Sequence, residues 1–271
     1  MKASPKVVLA LAGFDPSSGA GVTADLKTIA AHELYGVSCI TALTVQTTQG
    51  VLRTETVSPE IVWQTLESLV EDSPPQAVKI GMLGTSVLVS EVARFLRVNP
   101  LPNVVLDPVL RSSSGAPLLD QGGLQILRQE LLGIVDVVTP NLEEASLLTG
   151  LPVGDQGGME VAAQELGRLG ARNLVITGGH LEQPVDLLAT SSANRELTLC
   201  WFQNQKVETK NTHGTGCAYS TAIACNLALG RALEGADGAV LHARNYVAEA
   251  LRQAYPIGKG TGPINHFHSR G

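Results

Sequence analysis

A chain of 271 residues that is 44% hydrophobic and 16% charged can bury a large core as one α/β domain, which favours an enzyme over a scaffold, although the length alone would also permit two domains. Its net charge of −6 argues against a broad nucleic-acid surface, although a local basic pocket stays open. The four cysteines, at 39, 200, 217 and 225, show neither metal-ligand pairs nor a disulfide framework, which points to a reduced, cytoplasmic protein.

Lys2 and Lys6 ahead of Val7–Gly13 imitate a short signal peptide, but Asp15-Pro16-Ser17-Ser18-Gly19 follows at once, as a loop follows a buried strand. No apolar run is long enough to span a bilayer, so a soluble protein is expected. Beyond that point apolar, β-branched runs alternate with helix-period segments. Strands are predicted over 6–12, 37–45, 77–81, 103–107, 135–139 and 173–177, with further ones near 185–190 and 196–202. Helices are predicted over 20–34, 59–71, 85–98, 121–132, 142–149, 157–169, 215–229 and 235–254. The alternation predicts an α/β fold with a mostly parallel central sheet and helices on both faces. No repeat or linker divides it, so residues 1–271 are expected to form a single domain. Right-handed crossovers bring the strand C-terminal ends to one edge, together with Asp15, Gln46, Met82, Asp107, Asn141 and Thr177.

The most informative stretch is Asn211-Thr212-His213-Gly214-Thr215-Gly216-Cys217, which runs into an apolar helix. A glycine-bearing loop opening a helix aims backbone N–H groups and the positive end of the helix dipole at one point, so an anion belongs there. Cys217 sits where the helix begins, where the same field favours a thiolate. His213 lies four residues earlier, which invites a thiol-nucleophile reading as in acyl transferases or hydrolases. Other phosphate motifs fare worse. Gly19-Ala20-Gly21-Val22-Thr23-Ala24 imitates a dinucleotide fingerprint, but no acid occurs between Glu33 and Glu55 to take the ribose. No P-loop pattern is present.

Other positions carry two readings each. Asp25 is either a carboxylate favoured by its helix dipole or a ligand contact. Gln46 either caps a loop or reads a heterocycle edge with its side-by-side donor and acceptor. Asn141 with Glu144 spells a capping box after Thr139-Pro140, and Glu144 also suits magnesium beside a polyphosphate. Asp107 before Pro108 either caps a turn or orients metal-bound water.

Taken together, Ala12-Gly13-Phe14-Asp15-Pro16-Ser17-Ser18-Gly19-Ala20-Gly21, Ala24–Thr28, Ile40–Leu43, Lys79-Ile80-Gly81-Met82-Leu83, Val105–Val109, Thr139–Ala145, Gly178-Gly179-His180, the anion turn and the tail Gly258–Pro263 with His266-Phe267-His268 resemble hydroxymethylpyrimidine/phosphomethylpyrimidine kinases of thiamine biosynthesis. The resemblance runs in order along nearly the whole chain. It implies a ribokinase-like fold with little or no separate lid, and two successive phosphorylations with ATP and magnesium. Their acceptors would be 4-amino-5-hydroxymethyl-2-methylpyrimidine and then its monophosphate. By position, Gln46 would read the pyrimidine edge, with Gly13, Asp25, Met82 and Val109 around the ring. Gly214, Thr215 and Gly216 would form the anion hole, Cys217 would stand where related sugar kinases carry an Asp base, and Asn141 with Glu144 would serve magnesium and phosphates. A cytoplasmic homodimer is implied by the resemblance alone. Many members have Lys where this chain has Thr177, exchanging an ammonium for one neutral hydrogen bond at the nucleotide phosphates. Lys210 and Lys259 are candidate substitutes. A pyridoxal-type kinase on the same fold, a thiol enzyme and a non-catalytic pyrimidine sensor are the competing readings.

Overall fold

Six of the eight residues of β1 (Val7–Phe14) are buried, as expected of a parallel strand covered on both faces. Val8 and Ala10 point into one apolar layer, Leu9 and Leu11 into the other. The computed structural model describes residues 4–112, 114–179, 181–192, 196–203 and 205–268. His180 lies outside the described residues.

The strands after β1 are β2 (Tyr35–Thr47), β3 (Gly50–Thr56), β4 (Ala77–Ile80), β5 (Val104–Leu106), β6 (Val137–Val138), β7 (Asn173–Gly178), β8 (Val185–Ser191) and β9 (Leu197–Gln203). They form one sheet in the order β3-β2-β1-β4-β5-β6-β7-β8-β9. The six strands from β2 to β7 in that order run parallel, β3 and β8 run against them, and β9 pairs antiparallel with β8. Helices α1 (Gly21–Ala31), α7 (Thr215–Ala228) and α8 (Ala239–Arg252) supply residues to one face of the sheet. Helices α2 (Pro59–Asp72), α3 (Ser86–Val98), α5 (Leu142–Thr149) and α6 (Gln156–Arg168) cover the other. Their starts follow local rules: Ser58 accepts from the Ile61 N–H ahead of a proline at the first position, and Asp155 accepts from Gly158. Among the described residues no helix is long and apolar enough to cross a membrane.

Two elements differ from the sequence reading. The strand expected over 37–45 runs on to Thr47 and turns back as β3, which pairs antiparallel with it. β3 lacks an apolar alternation because both of its faces are largely solvated at the sheet edge, so periodicity gave no signal. The helix expected over 121–132 is α4 (Gln121–Ile126) followed by a π-helical turn, Leu127–Leu131.

The C-terminal tail seals the α1–α8 face through His266, which is 3% exposed and bonds Thr28 Oγ1 through Nδ1 at 3.1 Å. Burial, with Lys27 and His268 nearby, pushes its pKa down to about 4. A histidine whose folded pKa lies below its unfolded value contributes stability above pH 6.5 and loses it as pH falls toward 4. Unfolding at pH 4 is therefore expected to be easier than at pH 7 by about 3 kcal/mol from this group. Urea titrations across that window should show the slope, and His266→Gln should flatten it; parallel curves would count against the assignment.

Candidate active site

Gly214 turns the chain into α7 with φ at +86°, a left-handed conformation that favours glycine. A Cβ there would also run into the Gly19 carbonyl oxygen, so the turn rests directly on the loop after β1. No side chain caps α7; its first N–H, that of Thr215, turns back to the Thr212 carbonyl at 3.2 Å, and those of Gly216 and Cys217 are left to an anion. Ten of its residues are buried, fixing the helix end at the C-terminal edge of β1, β4 and β5. Strand order reverses beside β1, and open α/β sheets bind ligands at such a crevice.

On the β2 side, His213 Nε2 lies 2.8 Å from Asp15 Oδ2 and 3.4 Å from Gln46 Nε2. Asp15 also accepts from the Ser17 N–H and hydroxyl and from the Ala20 N–H, at 2.7 to 2.9 Å. Burial alone would raise its pKa, but the bonds from His213, Ser17 and Ala20 hold it below the usual carboxylate range. Gln46 and His213 line a small cavity of about 60 Å³ with Thr48, Ser112, Ser114 and Thr261. The tail closes one wall: Thr261 N–H donates to the Thr48 carbonyl at 2.9 Å, and His213 N–H to that of Gly262 at 3.0 Å. Gly13 is brought against Met82, where a Cβ would meet its sulfur at 2.9 Å. Val109 is half-buried, with its N–H on the Asp107 carbonyl at 2.8 Å.

Beneath the turn lies a buried ionic cluster. Lys79 Nζ bonds both Asp25 oxygens at 3.0 Å and stands 3.8 Å from Asp107 Oδ2. Thr221 Oγ1 donates to Asp25 at 2.8 Å, and Ser220 Oγ to Asp107 at 3.1 Å. Burial opposes the Lys79 charge, but Asp25 outweighs it, assisted by Asp107, and the ammonium is held above its ordinary range. Asp25 is therefore no wall of a ring pocket. Its side chain is 0% exposed and its oxygens are spent on Lys79 and Thr221, so the expected ring contact gives way to a supporting one. Lys79 escaped the sequence reading, although a lysine within the buried strand AVKI calls for a nearby counter-charge.

Cys217 also departs from expectation. Burial pushes its pKa up to about 12; Asp107 and Asp25 add to this, while Lys79 and the Gly21 N–H oppose it. Loss of solvent and two nearby carboxylates outweigh the helix dipole, so the thiol keeps its proton. His213 is engaged with Asp15 rather than with Cys217. The thiol-nucleophile reading loses both its thiolate and its base.

Toward β7, Asn141 accepts from the Glu144 N–H at 2.9 Å and Glu144 from the Asn141 N–H at 3.0 Å, so the capping box is complete. Thr177 joins this group through a bridge to Asn141, its N–H donating to the Pro140 carbonyl at 2.9 Å. Lys210 and Lys259 are exposed and make no ion pair among the described residues. Burial, reinforced by Asp107 and opposed by the Asn141 and Leu110 N–H groups, lifts Glu144 to about 8. Asp107 is raised as well, chiefly by burial. Two buried, mutually repelling carboxylates are suited to a hard divalent cation, although no group of three ligating side chains exists among the described residues.

An uncapped helix end facing acidic oxygens across a sheet edge suits phosphoryl transfer, and the fold places the chain among the ribokinase-like small-molecule kinases. Comparison with known proteins narrows the class. Residues 15–265 match the model of the phosphomethylpyrimidine kinase family. The chain is 39% identical over 269 residues to a hydroxymethylpyrimidine/phosphomethylpyrimidine kinase of Haemophilus influenzae, covering 97% of each. It is 41% identical over 262 residues to the thiamine biosynthesis bifunctional protein ThiED of Geobacter sulfurreducens, spanning 96% of this chain and about half, 52%, of that relative. An ADP complex of Bacillus subtilis pyridoxal kinase superposes with a TM-score of 0.87 at 30% identity, over 98% of this chain and 99% of the other. The chain belongs to the phosphomethylpyrimidine kinase family.

Proposed function

We propose that the chain transfers the γ-phosphoryl group of ATP to 4-amino-5-hydroxymethyl-2-methylpyrimidine and then to its monophosphate. The Gly214 turn carries this reading, because it sets open helix N–H donors beside the His213 and Gln46 cavity on one side and Glu144 on the other. Gln46 presents an amide to the pyrimidine edge, with Gly13, Met82 and Val109 against the ring. Gly216 and Cys217 offer backbone donors to the transferring group, with Thr215, bonded back to the Thr212 carbonyl, bracing the turn that carries them. Asn141, Glu144 and Thr177 receive the nucleotide phosphates. Glu144, with Asp107 through water, would hold magnesium, which when bound neutralises charge on the phosphates.

The first acceptor is an alcohol that must lose a proton, whereas the second attacks with an oxygen already anionic. Because the Cys217 thiol is protonated, the hydroxyl proton passes to Sγ while the thiol hydrogen passes to Asp107, with which the thiol is hydrogen-bonded. Cys217→Ala is expected to slow the first phosphorylation by about tenfold or more and the second less. Equal losses, measured in separate kinetics, would remove the relay.

The function itself is tested by ADP formation with the hydroxymethylpyrimidine, its monophosphate and pyridoxal as acceptors. Turnover with both pyrimidines at a higher kcat/KM than with pyridoxal is expected; no pyrimidine-dependent turnover would defeat the reading. Pyridoxal is the one alternative kept, on the likeness to the Bacillus subtilis enzyme.

A further inference from the structure

His213 directly precedes the anion turn, is 7% exposed and lines the cavity beside Gln46. The Thr44 hydroxyl donates to Gln46 Oε1 at 3.1 Å, which leaves the amide NH2 as the end facing the imidazole. An NH2 only donates, and the Asp15 carboxylate only accepts. Nε2 sits 2.8 Å from the carboxylate, against 3.4 Å from the NH2, so it carries the hydrogen and gives it to Asp15. Nδ1 has no partner among the described residues, and it is not among the buried polar atoms lacking one, so it reaches open space on a ring that lines the cavity. Around the ring stand the Asp15 carboxylate, the neutral Gln46 amide and the backbone of Gly19 and Gly262.

The second substrate brings a phosphate that the first lacks, and that charge has to be met. Lys79 is sealed at 0% exposure and committed to Asp25 and Asp107. Arg111 is paired with Glu143 at 3.2 Å. Thr177 carries no charge, and neither lysine nor arginine lines the cavity. Among the described residues that line the cavity, His213 carries the one basic side chain.

We infer that His213, tied by Nε2 to Asp15, is a specificity-determining residue for the monophosphate, binding its phosphate through Nδ1. The hydrogen shared between Nδ1 and the phosphate arrives with the monoanion or, for the dianion that prevails above about pH 6, is taken up from solvent on binding, and it forms a charge-assisted hydrogen bond. Toward the alcohol, which brings no charge, the same nitrogen offers at most an acceptor for the hydroxyl hydrogen. Asp15 faces away from the ligand and keeps the ring oriented.

The inference rests on the two-step kinase reading, and His213→Gln separates the two. Glutamine keeps a donor for Asp15 and loses the group at Nδ1. Its kcat/KM for the monophosphate is expected to fall about tenfold further than for the alcohol, mostly through KM. A ratio above about threefold sustains the inference, and one at or below that overturns it. Failure of the unsubstituted protein to turn over either pyrimidine would defeat the kinase reading instead. Should the variant not fold, nitrogen NMR of the labelled natural protein decides. One imidazole should move to the protonated pattern with the monophosphate and not with the alcohol; no such difference overturns the inference.

Discussion

Lys79→Met is expected to destabilise the protein by about 3–5 kcal/mol, which for a marginally stable domain approaches complete unfolding at physiological temperature. The substitution keeps the length of the side chain and removes only the ammonium. Asp25 and Asp107 are then left in a dry interior, one 0% and the other 5% exposed, with hydroxyl donors from Thr221 and Ser220 but no cation. Breaking a buried pair costs far more than an intact pair contributes, because the surviving charge has lost solvent and partner together. Space gives no relief: a Cβ at Gly81 would stand 2.8 Å from Lys79 Nζ, so the ammonium is enclosed by backbone as well as by acid. Urea denaturation should show the midpoint fall, and adding Asp25→Asn should recover part of it. A single variant as stable as the natural protein would mean that the cluster does not hold its charges as described.

The same cluster shows why the site was only partly legible in the sequence. β1, β4 and β7 were readable because parallel strands buried on both faces are unbroken apolar runs, and the turn at Gly214 was readable because glycine at a helix entrance has few other uses. Asp25 offered no such clue. Its α1 neighbours fit a helix whichever way the carboxylate points, and only the packing of α1 and α7 over β4 turns it onto Lys79. Cys217 failed for a related reason. A helix N-terminus favours a thiolate, but burial outweighs it first, with Asp107, more than a hundred positions away in the chain, adding to the same direction. β3 was missed because an edge strand solvated on both sides need not alternate. Local pattern found the elements and the edge where they end, whereas contacts of long sequence separation decided which side chains meet the ligand.

Gly214→Ala is expected to lower kcat for both phosphorylations by about a hundredfold or more, the scale on which oxyanion-type donors act. Two independent constraints fail at once: the backbone sits at φ +86°, and the added methyl would strike the Gly19 carbonyl. The turn has to move away from the β1 loop, and the N–H groups of Thr215, Gly216 and Cys217 move with it. Stability should fall as well, by about 1–3 kcal/mol for a strained left-handed position. Gly216 supplies the contrast. It lies two residues on, its φ is not left-handed, and a Cβ there meets nothing within 4 Å. Gly216→Ala should therefore leave the melting temperature nearly unchanged, and any loss of kcat it causes reports a methyl projecting into space the phosphates need. Thermal melts run beside the two kinetic assays distinguish the cases. Loss of activity with loss of stability at Gly214, and without it at Gly216, is the pattern of an anion site whose floor is the β1 loop and whose open side faces the ligand. Unchanged turnover in the Gly214 variant would place phosphate binding elsewhere on the sheet edge.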